Sequence, residues 1–432
     1  MAGIKDISAA FRSKIADAGI EKYAYAVSES TKKEFNTLEK EFTLYRTTFD
    51  KDASLTAFLG AKKGQAHGND LSDEGLAKLA ADAKLSAESS PEDPANDIAE
   101  RQKSETFHIG DIEPDMDKFF ECTKKLVETV GKEFKKIKIQ TVCTDHKKIH
   151  SIYANSNGTE FETYEGLYEV VLEFAGNDGE NTTGINFAYV ATADLDTPLI
   201  EQGDIRTTLE NTERSFNPST IEEKFEGTVI IAPQALGEFV YFIGANFLYG
   251  SSIFEGKSIW KDKLGKEVAD SRVNMRLVCD DDRLVMLSPY TSDGYRAENV
   301  NVIENGVLKS FMMSLYYANK TGMKPTKNLS NAIIFEPGDT PLEDMIKGVK
   351  KGLLLGGFSG GEPGSNGEFS GVAKNSFYIE NGEIKQAVIG TMVSGNLAEI
   401  LQNVKSISKE YRNDGTSLLP FLAVEGVTIS GS

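Results

Sequence analysis

The sequence is short of the side chains that most often hold metals or move protons near neutral pH. Its 432 residues include four histidines, three cysteines and one tryptophan. Cys122, Cys143 and Cys279 stand apart with no Cys-x-x-Cys pair, which excludes a disulfide framework and a cysteine-rich zinc module. No run approaches eighteen consecutive apolar residues, so no membrane span is signalled. The opening stretch, MAGIKDISAAFRSKIADAG, lacks the apolar core of a secretory signal. With unpaired cysteines, it leads us to expect a cytoplasmic protein. Basic residues are also scarce: 47 Lys and Arg against 66 Asp and Glu leave a net charge of −19, which repels phosphate backbones. The densest basic stretch, KEFKKIKIQ at 132–140, alternates Lys136 and Lys138 with Ile137 and Ile139 and reads as a strand with one solvated face. Direct nucleic-acid binding is not expected.

What is present describes an α+β chain of two domains, 1–225 and 226–432. Ile4, Ile7, Phe11, Ile15 and Ile20 fall near helical spacing. The segments KYAYAVSES and EFTLYRTTFDKDASLTAFL alternate with period two and predict a small antiparallel sheet. Residues 71–90 predict a helix capped by Ser72 or Asp73, and 115–134 another. From 136 the pattern becomes a strand meander broken by turns such as NSNG. The second half opens with TVIIAP and the helix QALGEFVYFIGANF. Short strands and glycine turns follow, with helices at PLEDMIKGVKKG and SGNLAEILQNVKSI. The expected architecture is therefore N-terminal helices on an antiparallel sheet, then a β-rich domain with a few helices.

Three stretches invite a catalytic reading. TVCTDHKKIHS, 141–151, gathers Cys143, Asp145, His146 and His150. A helical His-Glu-x-x-His site needs a glutamate after the first histidine, where this chain has Lys147. On a strand, residues four apart lie roughly 13 Å from each other, too far to share an ion bound at about 2 Å. A turn at Asp145–Lys148 would bring the histidines closer, which leaves a metal site as the alternative to a solvated hairpin. Gly357-Phe358-Ser359-Gly360-Gly361 matches Gly-x-Ser-x-Gly, but EPGSNGEFSG cannot begin the required helix and the last histidine is His150. Asp280, Asp281 and Asp282 read as a turn after NMRLVC rather than a cation site. From the residues alone, no catalytic constellation survives.

Longer segments carry a resemblance. IENGVLKSFMMSLYYANKTG (303–322), NLSNAIIFEPGDTPLEDMIKGVKKGLLLGG (328–357), GEFSGVAKNSFYIENGEIKQAVIGTMVSGNLAEILQNV (367–404) and DKLGKEV (262–268) resemble the TldD/PmbA family, whose members are also described as modulators of DNA gyrase. ANSNG at 154–158 and FLGAKKGQAHGNDLSDEGLAKLAADA are similar to the family's N-terminal half, so the resemblance spans nearly the whole chain. It implies a proteolytic context with two branches. The TldD branch carries a His-Glu-x-x-x-His helix after the strand opening its second domain, plus a cysteine ligand near the C-terminus. The PmbA branch, also called TldE, lacks these ligands and pairs with a TldD-type subunit.

By this resemblance, Tyr241, Phe242 and Asn246 fall where the first His, the Glu and the second His would stand. GTMVSGN holds no cysteine, and none follows Cys279. Zinc takes histidine, thiolate or carboxylate ligands, so the resemblance implies no catalytic residue, metal or cofactor in this chain. Zinc or iron is expected in a TldD-type partner, with extended peptides as substrates. A stand-alone homodimeric peptide-binding protein is one alternative. An independent metallohydrolase using His146 and His150 or another site is the other.

Overall fold

The computed structural model describes residues 3–431. The first sheet is built from β1 (Lys22–Leu38), β2 (Glu41–Leu59), β3 (Lys62–Gly68), β4 (Glu105–Gly110), β5 (Ile137–Asn155), β6 (Glu160–Asn177) and β7 (Thr182–Thr192). Its order is β3-β2-β1-β5-β6-β4, with β7 also paired to β6. All pairings are antiparallel except β4 with β6. Helices α1 (Ile4–Asp17) and α2 (Asp73–Ser89) cover one end, packing Phe11, Ile15, Leu76 and Ala83 on Tyr25, Val27 and Leu55. Helices α3 (Met116–Glu133) and α4 (Ile205–Arg214) cover the other end, against Val142, Tyr168, Val170 and Phe174.

Local chemistry sets the helix starts. The Ser72 hydroxyl accepts from the Gly75 amide at 3.1 Å, and the Asp115 carboxylate from the Lys118 amide at 2.9 Å, satisfying first-turn donors that the helices cannot. Glycine is required at 64: a Cβ there would lie 2.0 Å from the Ala87 amide nitrogen, so only glycine lets β3 rest on α2.

Two expectations need correction. The segments from 22 to 68 do not form a separate small sheet, because β1 pairs with β5 from Ala24–Asn155 to Leu38–Thr141. Nor is there a turn at Asp145–Lys148. β5 runs unbroken through these residues, paired on one side to β1 and on the other to β6. Flanking strands meet the backbone hydrogen-bonding demand of this polar stretch, and Lys32 neutralises Asp145 at 3.0 Å.

The second sheet has thirteen strands among the described residues. At its centre, β8 (Phe225–Ile231) pairs parallel with Lys351–Leu355 and antiparallel with Ser417–Gly431. Val229, Ile230 and Ile231 are all apolar because both faces of the strand are covered. Val229 and Ile231 enter the larger core and Ile230 the smaller one behind it. Pro233, whose missing N–H costs nothing at a first helical position, opens α5 (Pro233–Ile243) directly after β8. The two halves meet through the Ala191 amide on the Asp414 carbonyl at 2.9 Å and the Tyr316 hydroxyl on Asp93 at 2.7 Å. An Asp204–Arg412 pair at 3.4 Å joins them as well. Among the described residues, no helix is long and apolar enough to cross a membrane.

Candidate functional site

Helix α5 continues into one wide π-helical turn, Gly244–Leu248, closed by the Tyr249 amide on the Gly244 carbonyl at 2.8 Å. Such turns insert an extra residue and occur frequently at functional sites. Ile243 and Phe247 anchor the turn in the core, where Phe247 meets Trp260 at 4.9 Å. Tyr241 projects outward with 61% of its surface exposed, its ring edge-on to Phe242 at 5.5 Å. Phe242 packs half-buried against the core. Asn246 donates from Nδ2 to the Pro363 carbonyl at 3.0 Å, tying the turn to the glycine-rich segment 360–367. That segment lies directly on the turn. Gly367 has φ +85°, and a Cβ on it would stand 2.7 Å from Asn396 Oδ1 and 3.1 Å from the Phe247 ring.

One face of this helix walls a cavity of about 320 Å³. Gly237, Val240, Tyr241, Gly244 and Leu248 recur at helical spacing, and the two glycines leave the wall thin. Met275, Leu277, Met312 and Leu419 line the opposite side, with Asn331, Asp414, Thr416 and Ser417 supplying polar groups. The cavity therefore suits an apolar group whose backbone or polar end can be hydrogen-bonded. Glu238, on the same helix, was not singled out from sequence. Burial pushes its carboxyl up to about 7, with the Phe358 backbone amide acting in the opposite direction. The available signal was a lone carboxylate inside the apolar run LGEFVYF.

Tyr241, Phe242 and Asn246 supply no imidazole, thiolate or carboxylate ligand. Tyr241 offers a phenol, Phe242 no donor atom, and the Asn246 amide is engaged with Pro363. Among the described residues, no three His, Cys, Asp or Glu side chains converge to hold an ion.

The residues that stood out in the sequence lie elsewhere and stay separate. Cys143 and Asp145 alternate with His146 and His150 along β5, so the pairs face opposite sides of the sheet. The histidines are not solvated hairpin residues, as expected from sequence. His146 is 1% exposed, its Nε2 2.7 Å from the Asp111 carbonyl and its ring edge-on to Tyr168. His150 stacks on Tyr164 at 4.2 Å and bonds Glu162 at 2.9 Å. Both are held by structural partners.

Ser359 ends the short strand Gly357–Ser359 and precedes two glycines of positive φ, not a helix. All four histidines lie in the first sheet. Asp281 is bound by Arg276 at 3.1 Å and Arg283 at 2.9 Å, and the Arg283 hydrogen bond lowers its carboxyl to about 2. That charge is already compensated by arginine.

Residues 224–431 match the family model described as the PmbA/TldA metallopeptidase C-terminal domain. A metalloprotease of Methanothermobacter thermautotrophicus is 29% identical over 282 residues, covering 61% of this chain and 60% of that protein. The chain thus spans less than two thirds of this relative's length. Metalloprotease PmbA of Escherichia coli O157:H7 is 24% identical over 433 residues, covering 93% of this chain and 91% of that protein. The crystal structure of TldE from Thermococcus kodakarensis shares the fold. Its TM-score is 0.83 at 20% identity, over 98% of this chain and 100% of the other. Its second half thus carries the C-terminal domain of the PmbA/TldA metallopeptidases, and the chain as a whole shares the fold of the TldE structure.

Proposed function

We propose that the chain is the non-catalytic, PmbA/TldE-like subunit of a TldD/TldE-type metallopeptidase assembly that binds and helps process unfolded peptides. The observation that carries this reading is the helix following β8. It enters directly from the strand and walls a cavity, and Tyr241, Phe242 and Asn246, the positions that the resemblance assigns to the metal motif, are neither histidine nor glutamate. Zinc or iron, the base and the cleavage step belong to the partner. This chain contributes the cavity beside Tyr241 to the binding of an extended peptide. In this reading the working boundary between the two halves falls near residue 225.

The test mixes the purified chain with a TldD-type subunit from the same cell. A stable complex whose peptide cleavage requires this chain is the expected result. No complex, together with cleavage independent of this chain, refutes the subunit role. About one tightly bound zinc or iron per chain when purified alone would refute its non-catalytic character.

A further inference from the structure

A groove of about 600 Å³ runs along the exposed side of α3, walled opposite by the turn that joins β1 to β2. Phe120, Lys124, Val127 and Gly131 form the helical wall as one stripe at spacings of three and four, and Lys132 and Lys135 follow at its end. Lys40 and Phe42 form the other wall. Phe42 and Phe120 meet at 4.5 Å as a half-buried aromatic floor, backed by Phe35 at 6.1 and 5.4 Å. At the other end of the stripe, two ammonium groups converge on Gly131. Lys135 Nζ donates to its carbonyl at 3.1 Å, and a Cβ on residue 131 would stand 3.4 Å from Lys40 Nζ. Glycine weakens a helix interior, and here the missing side chain keeps this end of the groove open.

Four lysines and one carboxylate, Glu128, line the groove, a local surplus of three positive charges on a chain of net charge −19. Among the described residues no carboxylate forms an ion pair with Lys40, Lys132 or Lys135, and Lys124 reaches Glu121 only at 3.8 Å. Glu39 and Glu41, beside Lys40 in the chain, line a separate hollow. An occupant that complements these walls is anionic and carries an apolar group for the Phe42–Phe120 floor. Phosphate fits poorly. No arginine lines the groove to grip it as a fork, and the end of α3 nearest the lysines is its C-terminus, where carbonyls rather than amides are free. Carboxylates need only the point charges that lysines supply. The stripe from Phe120 to Gly131 is about 16 Å long at about 1.5 Å per residue. That length matches about five residues of extended peptide at about 3.3 Å each.

We infer that the groove between α3 and the β1–β2 turn binds an acidic peptide segment of about five extended residues. An apolar side chain rests on Phe42 and Phe120, and carboxylates meet Lys40, Lys132 and Lys135. The site stands on the first sheet and is independent of the subunit reading, since it needs neither a TldD-type partner nor the cavity beside Tyr241.

The test is fluorescence anisotropy of the rhodamine-labelled pentapeptide Phe-Leu-Asp-Glu-Asp titrated with the full-length chain. Anisotropy rises on binding and falls again with the unlabelled peptide. Neither the neutral analogue Phe-Leu-Asn-Gln-Asn nor an acidic analogue with serines in place of Phe and Leu displaces the probe. Lys40→Gln combined with Lys135→Gln weakens binding about fivefold, the effect of losing two exposed ion pairs. Lys125→Gln, which removes an exposed charge from α3 outside the groove, leaves binding unchanged. Gly131→Leu fills the groove while favouring the helix, so binding is lost although the urea midpoint holds or rises. Absent binding, equal displacement by the neutral peptide, an equal loss in Lys125→Gln, or full binding by Gly131→Leu overturns the proposal. Displacement by ATP as effective as that by the unlabelled acidic peptide overturns it too, in favour of a nucleotide.

Discussion

Glu238 gives the sharpest test of the environment around α5. Its carboxyl has an ordinary value of 4.5 and is raised by burial to about 7. Between those values the folded chain holds a proton that the unfolded chain has released. The stability linked to this group is thus fully present below about 4.5 and is lost as pH rises through about 7. A fully buried carboxyl displaced this far would carry about 3.4 kcal/mol, at 1.36 kcal/mol per pH unit. Glu238 is only half-buried, and solvent screening reduces the expected figure to about 1–2 kcal/mol. Glu238→Gln keeps the shape and stays neutral at every pH. The variant should match the parent near pH 4 and exceed it by about 1–2 kcal/mol at pH 8. Urea unfolding can be followed by the fluorescence of Trp260, the single tryptophan, which is 2% exposed and packed on Phe247 just beyond α5. Parallel stability profiles for the two proteins between pH 4 and 8 would refute the burial argument. A variant that is weaker at pH 8 would refute it as well.

Two further outcomes are expected. Burial lowers the His146 imidazole below its ordinary 6.5, so its contribution is present above that value and lost as pH falls through the lowered folded value. His146→Phe should flatten the acid side of the stability profile, cost about 1–3 kcal/mol at pH 8 by orphaning the Asp111 carbonyl, and leave zinc uptake unchanged. Unfolding at pH 5 and 8, with metal analysis, checks all three. Gly367→Ala forces a Cβ onto Asn396 and Phe247 at φ +85° and should destabilise by about 1–3 kcal/mol. An unchanged urea midpoint would mean that segment 360–367 does not rest on the turn.

The elements read correctly from sequence are those whose cause is local. Ser72 and the apolar spacing after it are enough to start α2, and Pro233 after an unbroken apolar run is enough to mark the passage from β8 into α5. The misread elements are those whose cause lies across the chain. Asp145–Lys148 looks like a turn because four consecutive polar residues are a turn signal when nothing else is known. In the fold, β1 and β6 pair with each of them and Lys32 neutralises the acid, so local polarity is overruled by partners more than a hundred residues away on one side. His146 follows the same logic: its neighbours in sequence are lysines and an aspartate, but its neighbours in space are Tyr168 and the Asp111 carbonyl. The candidate sites show the same division. Tyr241, Phe242 and Asn246 are ordered by one helix and could be placed from its sequence. The raised carboxyl of Glu238 depends on burial created by segments far along the chain. The Asp204–Arg412 ion pair exists only because α4 and a C-terminal strand are brought together. Helical or strand periodicity tells which face of an element is covered. It does not tell what covers it, and in this chain the chemistry of the buried acids and of Arg412 depends on that second fact.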